Sequence, residues 1–332
     1  MELIEEMKGW QMKDSYGRVI DYLRISITDR CNLRCVYCMP EDGIVCMKHE
    51  DILRYEEIVT ICKTMADMGL KHVKITGGEP LVRKGCEDLI RKIKEIPQIE
   101  TVTITTNGIM LEEKMEALVD AGVDGINISL DTLDENAFRT ITRGGDLHKV
   151  LKGLKKALMY PEVTVKVNCV LGGDQWQDVA ISMAALAKEL PVHVRFIELM
   201  PAVIEGIKQT KLQDQVKEVL ESYYGRASEQ EPPMGFGPSQ YFSLKGFQGQ
   251  IGFISAISHK FCKTCNRVRL TADGNLRLCL QSRQVTDLKT PLREGREKEL
   301  VAIIQDAVDR KPKEHHFEET AIETVSMSQI GG

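Results

Sequence analysis

Between residues 22 and 199, short runs rich in β-branched and apolar residues alternate with helix-length segments, and this rhythm limits the possible folds more than any other feature. The runs are Tyr22 to Thr28, His72 to Thr76, Thr101 to Thr105, Gly125 to Leu130, Val163 to Leu171 and Val192 to Leu199. In the first, Leu23, Ile25 and Ile27 alternate with polar residues, the period of a strand. The helical segments run from Tyr55 to Met68, Gly85 to Ile96, Leu111 to Ala121, Leu147 to Met159 and Gln175 to Leu190, several of them stopped by Gly69, Pro97, Gly122 or Pro161. Strict alternation implies right-handed βαβ units around a parallel sheet. Six such units fall short of a closed eight-fold barrel. The expected fold is therefore α/β, a partial (βα)6 TIM-like barrel with its site at the C-terminal strand ends. Residues 1–200 are expected to form this barrel domain, and residues 201–332 a C-terminal α+β extension.

The first strand runs directly into Cys31-Asn32-Leu33-Arg34-Cys35-Val36-Tyr37-Cys38. Three cysteines in one short loop can turn their sulfurs toward one metal centre. A four-iron cluster is usually held by four thiolates, so a set of three leaves one iron open to a small molecule. A zinc site short of a ligand, or three unrelated buried cysteines, are the plainer alternatives. The pattern, including the aromatic Tyr37 before the last cysteine, resembles the radical S-adenosylmethionine (SAM) superfamily. In that superfamily the open iron chelates SAM, and an electron from the cluster splits its sulfonium bond.

The other strand ends carry polar groups. After the second strand comes Thr76-Gly77-Gly78-Glu79-Pro80, in which the glycines allow close backbone approach and Glu79 offers a carboxylate to an ammonium. This segment matches the superfamily's glycine-rich element for the methionine amino group. The third strand ends in Thr105-Thr106-Asn107-Gly108, which reads either as a ligand contact by Thr105 or as a turn. In the fourth, alternation turns Asn127 and Ser129 to one face, where the Ser129 hydroxyl can hold a ribose. In the fifth, Val163, Val165 and Val167 share one face, and Lys166 and Asn168 the other. If the valines pack on helices, Lys166 points inward, which is costly unless an anion meets it. Arg195 in the sixth strand poses the same question, and Met200 beyond it is either an apolar wall for an adenine or a core residue.

From about Pro201 the alternation stops. The stretch from Lys208 to Tyr224 reads as a helix, and Glu229 to Pro238 as a loop, a flap or linker, by its Pro and Gly content. A second metal signal follows: Cys262 and Cys265 in a CxxC, and Cys279 after thirteen intervening residues. Zinc completed by His259 competes here with a second three-cysteine iron–sulfur cluster. Between the cysteines, Arg267 and Arg269 project from one face of an extended segment, a pair of guanidinium forks suited to phosphate oxygens. No GxxxxGK[ST] motif is present, so a nucleotide would not be held as in P-loop enzymes.

Composition narrows the remaining classes. With 332 residues, 42% apolar and 28% charged, the chain is of ordinary globular character, and no apolar run approaches a membrane span. The segment Met1 to Met12 lacks the build of a signal peptide, so a cytoplasmic location is expected. Ten cysteines in a reducing compartment argue for metal ligation rather than disulfides. Cys46, Cys62, Cys86 and Cys169 lie in no ligand spacing and read as small buried hydrophobes. A net charge of −5 gives no global basic field, so no nucleic-acid polymer is expected as a partner.

Over nearly the whole chain, these motifs together with the terminal Gly331-Gly332 resemble the GTP 3′,8-cyclase family of molybdenum cofactor biosynthesis. The resemblance implies two 4Fe-4S clusters, one on Cys31, Cys35 and Cys38 and one on Cys262, Cys265 and Cys279. It implies SAM contacts from Tyr37, Gly78, Ser129 and Met200, and GTP contacts from Arg24, Lys74, Thr105, Lys166, Arg267 and Arg269. Gly331 and Gly332 would assist the reaction, in which a 5′-deoxyadenosyl radical takes the 3′ hydrogen of GTP and the sugar closes on C8 of guanine. An electron donor, a downstream enzyme of the same biosynthesis and a homodimer are the implied partners. A radical SAM enzyme acting on a peptide is the nearest alternative. An iron–sulfur electron carrier or a zinc-stabilised binding protein is a more distant one, since neither uses open irons and inward polar strand ends.

Overall fold

The computed structural model describes residues 11–199, 212–234, 237–282 and 284–316. The expected strands form close to their sequence limits as β1 (Tyr22–Ser26), β2 (His72–Thr76), β3 (Thr101–Thr106), β4 (Gly125–Ser129), β5 (Thr164–Leu171) and β6 (His193–Glu198). Between them lie α1 (Tyr55–Asp67), α2 (Cys86–Lys94), α3 (Leu111–Asp120), α4 (Glu135–Thr142), α5 (Leu147–Ala157) and α6 (Trp176–Glu189). Helix α4 is absent from the sequence reading because its 8 residues are too few to show a helical period. Its start is nevertheless marked, since the Asp134 carboxylate accepts a hydrogen bond from the Ala137 amide at 2.7 Å, an N-cap.

Beyond β6 the chain adds α7 (Leu212–Tyr224), β7 (Ser228–Gln230), β8 (Gln240–Ser243), β9 (Ile251–Ile254), β10 (Arg267–Leu270), β11 (Asn275–Arg277), β12 (Val285–Asp287), α8 (Lys289–Arg293) and α9 (Leu300–Asp309). The segment from Glu229 to Pro238, expected to be a loop, thus begins as strand β7. Strands β1 to β6 pair in parallel in sequence order. The parallel set does not stop at six, because β10 adds to β1 and β9 adds to β6, both in parallel. Antiparallel β11–β12 and β8–β7 then complete a 12-stranded sheet. Among the described strands β9 and β10 do not pair, so the fold is an open, curled half-barrel with a C-terminal α+β extension.

Strand alternation decides what faces inward. Leu23, Ile25, Val73, Ile75, Val102, Ile104, Ile126, Ile128, Val165 and Val167 are buried in one hydrophobic cluster with the helix residues Ile58, Ile61 and Met65. The residues between them, from Arg24 on β1 to Arg195 on β6, therefore point to the concave face. Of the four cysteines expected to be buried, Cys62, Cys86 and Cys169 are, but Cys46 is exposed. It lies outside any regular element, beside Val45, which is itself 94% exposed. No described helix is long and apolar enough to cross a membrane.

The start of α1 is tied to α8 by Glu57. Its carboxylate accepts hydrogen bonds from the Arg54 amide at 2.7 Å and from Arg293 Nε at 2.9 Å. Burial alone would raise its pKa, but the hydrogen bonds from Arg293 and Arg54 outweigh that and hold it at about 2, against an ordinary 4.5. A folded value below the unfolded one stabilises the protein above about pH 4.5, and that stability is lost as the pH falls toward 2. Glu57→Gln is therefore expected to cost roughly 1.5–3 kcal/mol at neutral pH. In urea unfolding the deficit should shrink as the pH drops below 4.5; a deficit independent of pH would contradict the assignment.

Candidate functional site

One cavity of about 360 Å³ runs inside the half-barrel, and both cysteine sets line it. Their positions follow from strand direction. Cys31, Cys35 and Cys38 lie just after the C-terminal end of β1. Cys265 precedes β10, which runs parallel to β1, so it lies at the opposite end of the barrel. Strand β11 runs back antiparallel to β10 and returns Cys279 to that same end. Sequence reasoning expected the whole site at the C-terminal strand ends. The structure instead places the two sets at opposite mouths of the cavity, because the second set enters on a strand's approach rather than its exit.

The first cysteine loop is suspended from α4. Arg34 N donates to Thr142 O at 3.2 Å and Val36 N to Ile141 O at 2.9 Å. Arg143, which ends α4 at a φ of 53°, donates from Nη1 to Arg34 O and Met39 O. The Cys31 sulfur accepts from the Leu33 amide at 3.4 Å and from Asn107 Nδ2 at 3.8 Å. Amide donors to sulfur are one of the means by which a protein tunes an iron–sulfur cluster. Tyr37 donates to Asp131 Oδ2 at 2.6 Å, and Asp131 Oδ1 accepts from Val170 N at 2.8 Å. Burial pushes the Asp131 carboxyl up to about 6, although the Tyr37 hydrogen bond opposes this. The sequence reading gave no role to Asp131 or to Asn107, but Asn107 directly follows β3 and Asp131 lies two residues beyond β4, and polar residues at strand ends are the signal that would have found them.

Gly77 and Gly78 line the cavity and also pack against the first cysteine loop. A Cβ on Gly77 would stand 2.5 Å from Thr28 O, and one on Gly78 would stand 2.4 Å from Arg30 O. The missing side chains let residues 77–79 pair with the segment entering the cysteine loop, where Gly78 N donates to Thr28 O at 2.7 Å. Glu79, expected to meet an ammonium, is instead buried beneath the loop. It accepts from Leu81 N at 3.0 Å, Thr106 Oγ1 at 2.8 Å and Asn107 N at 2.6 Å, and it does not line the cavity. Its pKa rises to about 7 through burial.

Between the two mouths lies a belt of cations. Strand register sets Arg269 beside Arg24 and Arg24 beside Lys74. Lys166 and Arg195 face the same interior from β5 and β6, and Arg195 Nη2 donates to Asn127 Oδ1 at 2.6 Å. The Lys166 ammonium donates to Met234 O from the loop expected to be a flap. Burial and neighbouring cations depress these groups: Arg24 to about 10, Lys166 to about 7, and Lys74 and Arg269 well below their ordinary ranges. Arg195 Nε and Asn168 Oδ1 are buried without a hydrogen-bond partner among the described residues. The orphaned Arg195 donor fits an anionic group and the orphaned Asn168 acceptor a hydroxyl or amine, so the two fit a polar ligand that carries both.

The donor sets fit iron–sulfur clusters, with three thiols from each loop and no disulfide among the ten free cysteines. Among the described residues no three His, Cys, Asp or Glu side chains gather around a single ion; the thiolates of a four-iron cluster bind separate irons and need not converge in that way. His259, the competing zinc ligand, lies 4.0 Å from Asp214 and does not line the cavity, whereas His315 does. Tyr37, Gly78, Ser129, Arg24, Lys74, Thr105, Arg267 and Arg269 all line the main cavity. Lys166 lines a smaller adjoining one that shares Lys74 and Arg195 with it. Met200, Gly331 and Gly332 lie outside the described residues.

Residues 25–185 match the radical SAM superfamily and residues 192–317 the family Molybdenum Cofactor Synthesis C. The chain is 45% identical over 325 residues to the GTP 3′,8-cyclase of Pelotomaculum thermopropionicum, covering 97% of this chain and 100% of that one. It is 46% identical over 328 residues to the GTP 3′,8-cyclase of Heliobacterium modesticaldum, with the same coverage. The chain belongs to the GTP 3′,8-cyclase family. Among solved structures it is similar to Streptococcus suis SuiB bound to S-adenosylmethionine, with a TM-score of 0.63 at 15% identity over 99% of this chain and 79% of that one. At that identity the likeness is one of fold alone, the curled sheet of a radical SAM enzyme. The cyclase relatives, which match over their full length, set aside the peptide-modifying, electron-carrier and zinc-protein readings.

The close packing at Gly78 generates a test. Gly78→Ala must displace the Arg30 carbonyl and is expected to destabilise the protein by about 1–3 kcal/mol in urea unfolding, the order of locally stored backbone strain. Unchanged stability would mean that the cysteine loop moves aside freely.

Proposed function

We propose that the cavity holds SAM against the first cysteine set and GTP against the second, and that the chain converts GTP to (8S)-3′,8-cyclo-7,8-dihydroguanosine 5′-triphosphate, an early step of molybdenum cofactor biosynthesis. The observation that carries this reading is the cation belt lying between two three-cysteine sets in one cavity. As a radical SAM enzyme of the cyclase family, the chain uses two 4Fe-4S clusters and SAM. When bound, the first cluster supplies the electron that releases methionine and the deoxyadenosyl radical from SAM.

In this reading Cys31, Cys35 and Cys38 hold the first cluster, and Cys262, Cys265 and Cys279 the second. Tyr37, Gly78, Ser129 and Met200 orient SAM. Tyr37 is itself fixed by Asp131, so the loop carrying the cluster is registered on the strand ends that meet the nucleoside. Arg24, Lys74, Lys166, Arg267 and Arg269 meet the triphosphate, and Thr105 closes the wall beside it. An anion among these cations offsets their mutual repulsion, so the belt favours a polyphosphate. Val170, Ile197 and Ile254 line the same cavity and give it an apolar wall beside the belt. We assign residues 1–200 to SAM cleavage and residues 201–332 to substrate binding. An electron donor, an enzyme that takes up the cyclised triphosphate and a second copy of the chain are the further partners we infer. Ten free cysteines support a reducing, cytoplasmic setting.

Two predictions follow from these roles. Arg267→Ala and Arg269→Ala should each weaken GTP about ten- to a hundred-fold in calorimetry, the roughly 1.5–3 kcal/mol of a hydrogen bond to a charged group, with SAM affinity unchanged. Equal GTP affinity in the double variant would remove the phosphate role. Gly331 and Gly332, which have no Cβ, can thread a channel too narrow for other residues and bring backbone amides to the substrate. Their deletion is expected to leave iron content and GTP affinity near wild type while sharply cutting cyclisation, and normal turnover of the truncated enzyme would dismiss the tail.

A further inference from the structure

Residues 311–316 follow α9 and lie against the second cysteine set. The Lys311 side chain is buried at 3% exposure. Its ammonium donates to Arg267 O at 2.8 Å and to Leu278 O. The first carbonyl lies two residues after Cys265 and the second one residue before Cys279, so the charge is wedged between the two segments that carry those thiols. A buried ammonium is costly unless an anion meets it. Two carbonyls supply only dipoles, and among the described residues Lys311 forms no ion pair with a carboxylate. Burial pulls the Lys311 ammonium below its usual range, and negative charge on Cys265 and Cys279 opposes that. Arg18 provides the contrast. It donates to Cys262 O at 2.8 Å and Pro312 O at 2.7 Å, but its charge is already matched by Asp14 at 2.5 Å.

We propose that Lys311 balances the charge of the second cluster, a positioning residue whose buried ammonium favours the cluster's reduced, more negative state. The proposal rests on the two-cluster reading. Net charge is among the factors that set the potential of such clusters.

The test is an anaerobic dithionite titration of the holoenzyme followed by electron paramagnetic resonance, comparing wild type with Lys311→Met and Lys311→Arg. The first cluster, recognised by its response to SAM, serves as the internal reference. Lys311→Met should make reduction of the second cluster at least tenfold less favourable, a shift of about 59 mV to more negative potential for one electron. Lys311→Arg should stay near wild type, and the first cluster should not move in either variant. A Met variant that cannot hold the second cluster, beside an Arg variant that can, would also support the charge role. An unshifted midpoint in Lys311→Met with full iron content would overturn it, as would equal loss of the cluster from both variants. Wild-type enzyme with four irons and one zinc in place of about eight irons would overturn the proposal together with the cluster reading, and that result is visible before any variant is compared.

Discussion

The structure depends on a constraint that works against folding: cations placed side by side on neighbouring strands of one concave face. Arg269, Arg24 and Lys74 stand in register across β10, β1 and β2. Two like charges about 5 Å apart repel by roughly 3 kcal/mol at an effective dielectric near 20. The outer faces of the same strands, Leu23, Ile25, Val73 and Ile75, are buried in the hydrophobic cluster and hold the register against this repulsion. The barrel's apolar outside thus fixes the spacing of the cations on its inside.

That coupling links fold to chemistry at both mouths of the cavity. The first cysteine loop donates to the last carbonyls of α4, accepts from Arg143 and is braced on its approach by the Gly77-Gly78 turn. The second set is braced instead by Arg18 from the N-terminal side and by the C-terminal segment through Lys311 and His315, whose Nε2 lies 2.8 Å from Ala256 O. The segment between β9 and β10 joins the two edges of the open parallel set. It carries Phe261, which stacks under the Arg267 guanidinium at 5.0 Å.

Much of this was legible in the sequence because period-two alternation is a local property. Lys166 and Arg195 could be turned inward from the valines beside them, and the six strands were found almost at their true limits. What was not legible depends on pairing between distant segments. That β10 adds to β1, and so sends Cys265 to the far mouth, cannot be read from the CxxC. Glu79 looked like a ligand group because its role depends on Thr106 and Asn107, 27 and 28 residues away. Helix α4 was too short to show a period, and Lys311 sits in no motif, so only its burial reveals it. Asp131 was hidden by the same cause, since its partner Tyr37 is 94 residues distant.

A single cavity that holds SAM against the first cysteine set and GTP against the second must bring the ribose of GTP within reach of the SAM-cleaving end. The most direct measurement uses GTP carrying deuterium at C3′, incubated anaerobically with the reduced holoenzyme and SAM, followed by mass spectrometry of the 5′-deoxyadenosine formed. The account predicts that the deuterium appears in 5′-deoxyadenosine, and that it does so less in the Arg267→Ala/Arg269→Ala double variant. Unlabelled 5′-deoxyadenosine produced at an undiminished rate would contradict it, because SAM would then be cleaved with no GTP ribose within reach.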